Sequence, residues 1–509
     1  MLRPSPSSGE PPTRPTKLPR LAIALTRLLS ASILLACSAS MPRTTAAQPE
    51  PATSRGARAA QATQKRALYD IYKELVEINT TASAGSATSA AQAMAARLRA
   101  AGFPEADVQV LVHPGDSRKG NLVARLRGTG AKRPLLLLAH LDVVEARRED
   151  WSAELDPFKL TERDGFFYGR GSIDDKAMAA IFVANLIRYK QEGIKPSRDI
   201  IVALTADEEG GEHNGASFLL QNYKNLVDAE YGINEGGGGR YRGSRRLFNG
   251  VQASEKIYQS FLLEVKDKGG HSSLPSKDNA IYRLSAGLGR LAKLDFPVNL
   301  NEVTRAYFGR MASVESGQLA ADMKAVAADP PGDGAARAEA IARLSASPYY
   351  NALMRTTCVA TRLEAGHAEN ALPQTARATV NCRILPQESA EGTRRALGEA
   401  LGDDKIAVSP IKEARPSPPS PLKSEMMEAI ESVSSALWKG VPVIPIMGTG
   451  ATDSLYFRNA GIPMYGVSGL FTDIDDNRAH GKDERLGVAA LHDGQEFLYR
   501  LVKILAAGK

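Results

Sequence analysis

Pro134-Leu135-Leu136-Leu137-Leu138-Ala139-His140-Leu141-Asp142 is an unbroken apolar run of strand length that closes on a histidine and an acid. A second run, Ile200-Ile201-Val202-Ala203-Leu204-Thr205, closes on Ala206-Asp207-Glu208-Glu209. Continuous rather than alternating apolar residues predict strands buried on both faces. Between them, residues 177–189 have the composition of a helix. Strand, helix and strand make a βαβ unit, with parallel strands and helices on both sides of the sheet. The predicted fold class is therefore α/β, a mostly parallel sheet flanked by helices. Ligand sites in such sheets form outside the carboxyl ends of the strands. The polar residues that end the two runs are thus where chemistry is expected.

Working outward, residues 68–78 and 90–101 read as helices. The texture changes near residue 254. Residues 258–265 and 375–384 read as edge-type strands with helical stretches between them, and Pro330-Pro331-Gly332-Asp333-Gly334 reads as a loop. After Pro386 come a helix-like run, strand signals at 444–447 and 464–467, and an amphipathic helix at 488–505. The simplest organisation is one sheet domain in two parts, 66–253 and 389–509, interrupted by an inserted α+β domain at 254–388. A chain of 509 residues suits two or three domains. With 43% hydrophobic and 24% charged residues it has the composition of a soluble enzyme rather than of a disordered chain. No second long apolar run supports a multi-span membrane protein. Three cysteines are too few for a disulfide scaffold or a thiolate zinc cluster.

The net charge of +7 is concentrated at the start of the chain. Residues 1–47 hold six basic residues (Arg3, Arg14, Lys17, Arg20, Arg27, Arg43) and one acid, Glu10, which leaves 58 basic and 56 acidic residues, or +2, for the rest. That near-neutral body has no basic stripe with interleaved aromatics, which argues against a nucleic-acid partner. The basic, proline-rich lead and the apolar stretch at 28–36 read as a secretory signal over residues 1–47. The stretch is short for a membrane span, and a lone anchor is the other reading. Leu34-Leu35-Ala36-Cys37 resembles a bacterial lipoprotein cleavage box, with Leu35 where a smaller residue is usual. Thr45-Ala46-Ala47 is the rival cleavage site. Both readings export the protein, either to the periplasm or to the envelope through a lipid on Cys37. Residues 48–65 then read as a flexible tether. Cys358 and Cys382 are either a disulfide pair or two reduced core thiols.

Several motifs carry chemistry. Asp142 stands two residues after His140 on the same strand face, where it could orient a metal-bound imidazole. Gly169-Arg170-Gly171-Ser172-Ile173-Asp174-Asp175-Lys176 leads into a helix. It lacks the spacing of a phosphate loop and offers two carboxylates, either for a cation or as a helix cap. Asp207-Glu208-Glu209 at a strand end is either a solvated acidic loop or a set of carboxylates compensated by a divalent ion, one ligating while its neighbour acts as base. Ile233-Asn234-Glu235-Gly236-Gly237 puts another acid on a glycine-rich turn, and His480 lies in a polar loop. Together these nitrogen and oxygen donors suit zinc, with cobalt or manganese as substitutes. They are too many for one tetrahedral ion, and two ions about 3.5–4 Å apart sharing a carboxylate would use them.

His-Leu-Asp at 140–142, Gly-Arg-Gly-x-x-Asp-x-Lys at 169–176, Glu208-Glu209, Asn234-Glu235-Gly236-Gly237, Gly269-Gly270-His271-Ser272-Ser273 and the late His480 occur in one order. That order resembles the family of co-catalytic zinc exopeptidases and amidohydrolases that includes glutamate carboxypeptidase, aminoacylase, acetylornithine deacetylase, succinyl-diaminopimelate desuccinylase and carnosinase-type dipeptidases. The resemblance covers about residues 66–509. It implies that His140 and Glu235 hold one metal, that Glu209 and His480 hold the other, and that Asp174 bridges them. It implies Glu208 as general base, Asp142 as the group orienting His140, and a cis peptide at Asp174–Asp175. The inserted segment would be a lid that also forms homodimers. His271 would stabilise the oxyanion, commonly across the dimer, while Asn370 and Arg383 would bind the substrate's carboxylate or carbonyl. Thr452 and Asp453 match a substrate-side turn. His113, His213, His367 and His492 match no motif and are assigned to structure or surface.

The function expected is amide hydrolysis of a small peptide by an exported carboxypeptidase or dipeptidase. The alternative is an N-acyl-amino-acid amidohydrolase on the same scaffold. A more distant alternative is a metal-binding protein without catalysis.

Overall fold

The computed structural model describes residues 52–328 and 334–507. The signal expected at 1–47, with Cys37, lies outside these residues, as does the start of the tether. From Ala52 the chain is already helical, in Ala52–Glu77. Residues 52–65, expected as tether, are rich in alanine, arginine and glutamine, all good helix formers, and continue into the packed residues Leu68, Ile71, Tyr72 and Leu75. No helix among the described residues is long and apolar enough to cross a membrane.

The two apolar runs become the neighbouring parallel strands Leu135–His140 and Ile200–Thr205, with the helix Lys176–Gln191 between them in the chain. On its other side Leu135–His140 pairs in parallel with Tyr231–Asn234, which in turn pairs in parallel with Met464–Gly466. Antiparallel strands such as Gly120–Leu126 extend the sheet, so it is mixed with a parallel centre. Both faces of the central strands are covered. Leu135, Leu137 and Ala139 join one core, with Ile200, Val202 and Leu204. Leu136 and Leu138 join a second core, with Ile201 and Ala203. The C-terminal helix Val488–Ala506 packs through Leu491, Phe497, Leu498 and Leu501 into the first of these cores.

A separate four-stranded antiparallel sheet has the order Thr357–Ala365, Thr375–Ile384, Ile257–Lys266, Ile406–Pro410. The segments expected as edge-type strands are therefore its two central strands. Their alternating pattern reflects one covered face, not an edge position: Phe261, Leu263, Val265, Ala378 and Val380 pack under the helices Ala280–Leu291 and Ala390–Leu401. Tyr258, Val359 and Leu363 are exposed. Cys358 and Cys382 face each other in register and are disulfide-bonded. The helices Glu302–Met311 and Gly317–Ala327 bury Val303, Phe308, Met323 and Val326 in the large core instead.

Burial on both faces has a measurable signature. Leu137→Ala and Leu138→Ala, on opposite faces of one strand, should each lower the unfolding free energy by about 2–5 kcal/mol. Urea denaturation checks this. A loss confined to one of the two would mean a strand with one solvated face.

Candidate metal centre and its carboxylate cradle

Three parallel strands deliver their ends to one place. His140 is the last residue of its strand, Glu208 and Glu209 follow Thr205, and Glu235 follows Asn234. Asp174 arrives on the turn before the helix Lys176–Gln191, and the peptide between Asp174 and Asp175 is cis. His480 arrives on the polar loop near the end of the chain, in the left-handed backbone region at φ 63°.

Asp174 stands between the two histidines. Its Oδ1 is 2.9 Å from His140 Nε2 and its Oδ2 is 3.0 Å from His480 Nε2. Glu209 Oε1 lies 2.8 Å from the same His480 nitrogen. One ligand atom each from His140, Glu208 and Glu235 lies within 4.8 Å of the others, and the same holds for His140, Asp174 and Glu209. Every residue read from the sequence as a metal ligand, and Glu208 beside them, is thus brought into one cluster.

The electrostatics are those of crowded, buried acids. Burial, reinforced by Asp174, pushes the Glu235 carboxyl up to about 8. Burial and the neighbouring Glu235 raise Glu208 well above the usual carboxylate range. Asp174 and Glu209 raise His480 to about 10. Burial opposes charge on His140, yet Asp174 and Glu235 outweigh it and hold its pKa high. Asp174 is buried too, but its hydrogen bonds to both imidazoles keep it below the ordinary range. Imidazole nitrogens and carboxylate oxygens, with no thiolate, form a donor set that fits divalent cations of the zinc, cobalt and manganese kind.

Backbone and buried ion pairs hold this cluster. Nδ1 of His140 donates to the backbone carbonyl of Asp142 at 3.0 Å, which leaves Nε2 facing the acids. The Asp142 carboxylate is 3.8 Å from that ring. Its hydrogen bonds come from the amides of Glu208 and Glu209, both at 3.1 Å. Asp142 therefore orients the histidine through its carbonyl and the two glutamates through its side chain. Asp207, at φ 66°, turns the chain before Glu208 and is gripped by Lys119 and by the amide of His213.

Glu484 gave no signal in the sequence. Its buried carboxylate accepts from the amides of Gly171 and Ile173 at 3.1 and 2.9 Å and from Arg170 at 2.6 Å. Arg170 also donates to the carbonyls of His480 and Gly481, at 3.3 and 3.2 Å. One ion pair thus ties the Asp174 loop to the His480 loop. Asp453, matched in the sequence to a substrate-side turn, is buried. It accepts from Thr205 and Asn214 at 2.9 and 2.6 Å, and burial raises its carboxyl to about 6. Thr452 binds Glu255.

The remaining expected residues lie elsewhere. His271 pairs with Ala371 on a small two-stranded ladder that Asn370 immediately precedes; both His271 and Asn370 are exposed, Ser272 donates to the Asn370 carbonyl at 3.0 Å and Ser273 Oγ is 2.8 Å from His271 Nδ1. Ser272 makes its bond through its backbone amide. Arg383 lies opposite Tyr258 in the antiparallel sheet, its guanidinium 4.6 Å from the tyrosine ring centre. Among the described residues no hydrogen bond or ion pair joins these three to the acidic cluster. Two cavities open nearby. One of about 160 Å³ is lined by Asp174, Asp175, Glu235, Arg240, Thr472 and Asn477. Another of about 1100 Å³ includes Asn214, Tyr258, Arg415, Leu455 and Tyr456 in its walls.

A model of peptidase family M20/M25/M40 matches residues 136–504. The N-fatty-acyl-amino acid synthase/hydrolase of Xenopus tropicalis is 30% identical to this chain over 73% of the chain and 72% of that protein. Carboxypeptidase S of Saccharomyces cerevisiae is 26% identical, over 73% of the chain and 71% of its own length. Among solved structures, an M20 family metallo-carboxypeptidase from Sulfolobus solfataricus superposes with a TM-score of 0.63 at 18% identity, covering 86% of this chain and 98% of its own.

The Arg170–Glu484 pair yields a prediction. Arg170→Met leaves a buried carboxylate without its cation. It should destabilise the fold by about 3–5 kcal/mol in chemical denaturation and weaken divalent-metal binding about 10–100-fold. Metal affinity unchanged in the variant would show that the tie between the two loops does not position the ligands.

Proposed function

From the premise that this chain belongs to peptidase family M20/M25/M40 and is a hydrolase of its metallopeptidase and amidohydrolase class, we propose that it cleaves the amide bond joining an acyl or peptidyl group to an amino acid with a free carboxylate. The observation that carries this reading is the convergence of His140, Asp174, Glu208, Glu209, Glu235 and His480 at the ends of the parallel strands. A carboxypeptidase or dipeptidase acts on such a bond. An N-acyl-amino-acid hydrolase does as well, and the relative named for N-fatty-acyl amino acids favours that second reading.

We assign His140 and Glu235 to one divalent ion, Glu209 and His480 to another, and Asp174 to both, with zinc as the preferred metal. The ions would polarise the scissile carbonyl and acidify the attacking water. Glu208 is the group that moves the proton. Burial beside Glu235 raises its proton affinity, so it can take a proton from the water and return it to the leaving amine. The Asp142 carboxylate keeps Glu208 in place by accepting from the Glu208 backbone amide. His271, Asn370 and Arg383 complete the site as substrate-facing groups of the inserted domain, with His271 supplied across a homodimer. The lead at 1–47 supports an exported enzyme, free in the periplasm or lipid-anchored at Cys37.

The test is a zinc-reconstituted enzyme assayed on dipeptides and on N-acyl amino acids of increasing chain length. About two ions per chain are expected. Glu208→Gln should keep them while kcat falls about 10²–10⁴-fold, and chelation should abolish turnover. Normal hydrolysis by Glu208→Gln would remove Glu208 from the mechanism. Turnover of dipeptides alone, or of long-chain N-acyl amino acids alone, would separate the two substrate readings.

A further inference from the structure

Resting on the reading above, we infer that Arg240 is the anchor for the substrate's free carboxylate, in the small cavity it shares with Asp174 and Glu235. The argument begins with the company kept by buried arginines. Arg170 pairs with Glu484 at 2.6 Å, Arg198 with Glu230 at 2.9 Å, and Arg458 with Glu255 at 3.2 Å. Removing a guanidinium from water is unfavourable unless an anion compensates it, and each of these has one.

Arg240 does not. It follows the glycine run 236–239 on the strand Gly239–Arg242 and is largely buried. Its Nη1 donates to Thr472 Oγ1 and, at 3.5 Å, to the carbonyl of Gly239. Among the described residues no acid pairs with it. Burial lowers its pKa, and the only charged-group neighbour that offsets this is the Tyr349 hydroxyl. A guanidinium has five N–H donors in a planar fork, and among the described residues the hydrogen bonds of Arg240 all leave from Nη1.

Arg240 lines a cavity of about 160 Å³ whose wall is shared by Asp174 and Glu235. Thr472 on the strand Phe471–Asp473, and Asn477 and Ala479 on the loop that carries His480, line it as well. That volume is below the roughly 300–1,000 Å³ of sites that hold drug-sized ligands, and suits a single carboxylate-bearing fragment. Arg240, Asp174 and Glu235 share this wall, and among the described residues no ion pair joins the arginine to either acid. An amino-acid moiety whose carbonyl lies at the metal centre would extend its carboxylate towards Arg240, where a bidentate charge-assisted pair can form. His271, Asn370 and Arg383 line no part of this cavity.

The test uses the zinc-reconstituted full chain with N-decanoyl-L-leucine and its carboxamide, which differ only in the charged group. Wild type should prefer the carboxylate. Arg240→Met should lower kcat/KM for the carboxylate about 10–100-fold, mainly through KM, and leave the carboxamide nearly unchanged. Arg240→Lys should fall between them, since it keeps the charge and loses the fork. An equal loss on both substrates would reduce Arg240 to a structural role and overturn the proposal. Loss of the carboxylate preference in Arg383→Met, with its survival in Arg240→Met, would overturn it too. Were wild type to cleave neither compound, the functional reading would fall, and calorimetric titration with N-decanoyl-L-leucine would decide the subsite. Binding that weakens in Arg240→Met keeps it; equal binding removes it.

Discussion

Mutual repulsion among buried carboxylates is the constraint on which this structure turns. Asp174, Glu208, Glu209 and Glu235 lie around His140, and burial disfavours the charged forms of Asp174, Glu208 and Glu235. Like charges brought this close in a medium of low dielectric disfavour one another further. The histidines offset only part of that. Asp174, held by both imidazoles, is the acid whose ionised form is most favoured. Glu208 and Glu235 are pushed the other way. Such an arrangement is unfavourable for folding and favourable for binding cations, because each divalent ion relieves several repulsions at once.

The scaffold around the cluster follows from this. A repelling set holds its geometry only if its backbone is fixed independently of its side chains. The parallel strands do this first, with cores on both faces. Asp142 then fastens the Glu208 and Glu209 amides, and the Arg170–Glu484 pair fastens the Asp174 and His480 loops to each other. The positive φ of Asp207 and His480, in a region that favours glycine, marks places where the chain adopts an uncommon turn to bring side chains into the cluster. Lys119 and the His213 amide grip Asp207, and Arg170 grips the carbonyl of His480.

What could be read from the sequence was whatever is local. The continuous apolar runs at 134–139 and 200–205 specify neighbouring parallel strands because burial on both faces leaves no polar alternation. The residues just past those runs fall at the strand ends by chain continuity alone. His140, Glu208, Glu209 and Glu235 were accessible in this way. Glu484 was not, because its significance lies in a partner loop more than 300 residues earlier, and nothing near it in sequence distinguishes it from a surface acid. The strands Ile257–Lys266 and Thr375–Ile384 were read as edges because alternation was taken for exposure. Alternation reports only that one face is open, and both strands have neighbours on each side. The helix from Ala52 escaped notice for a related reason: alanine-rich sequence reads as linker until Leu68 and Tyr72 give it something to pack against.

Arg240 belongs to the same class of hidden residue, and it separates two tasks that a family motif runs together. The proposed ligands and base come from segments whose spacing recurs, so they are recognised by pattern. Selection of the substrate depends on where a cation lies relative to that centre, and an arginine after a run of glycines has no pattern of its own. Its meaning appears only beside Arg170, Arg198 and Arg458, each of which is neutralised within the fold. A protein that pairs those buried arginines and leaves Arg240 with no acid among the described residues, on the wall it shares with Asp174 and Glu235, offers that charge to an anion from outside. A peptide C-terminus and an N-acyl amino acid present the same carboxylate at the same distance from the amide. The cavity around Arg240 therefore accounts for how one centre could serve both kinds of substrate, while the choice between them falls to the groups that meet the acyl side.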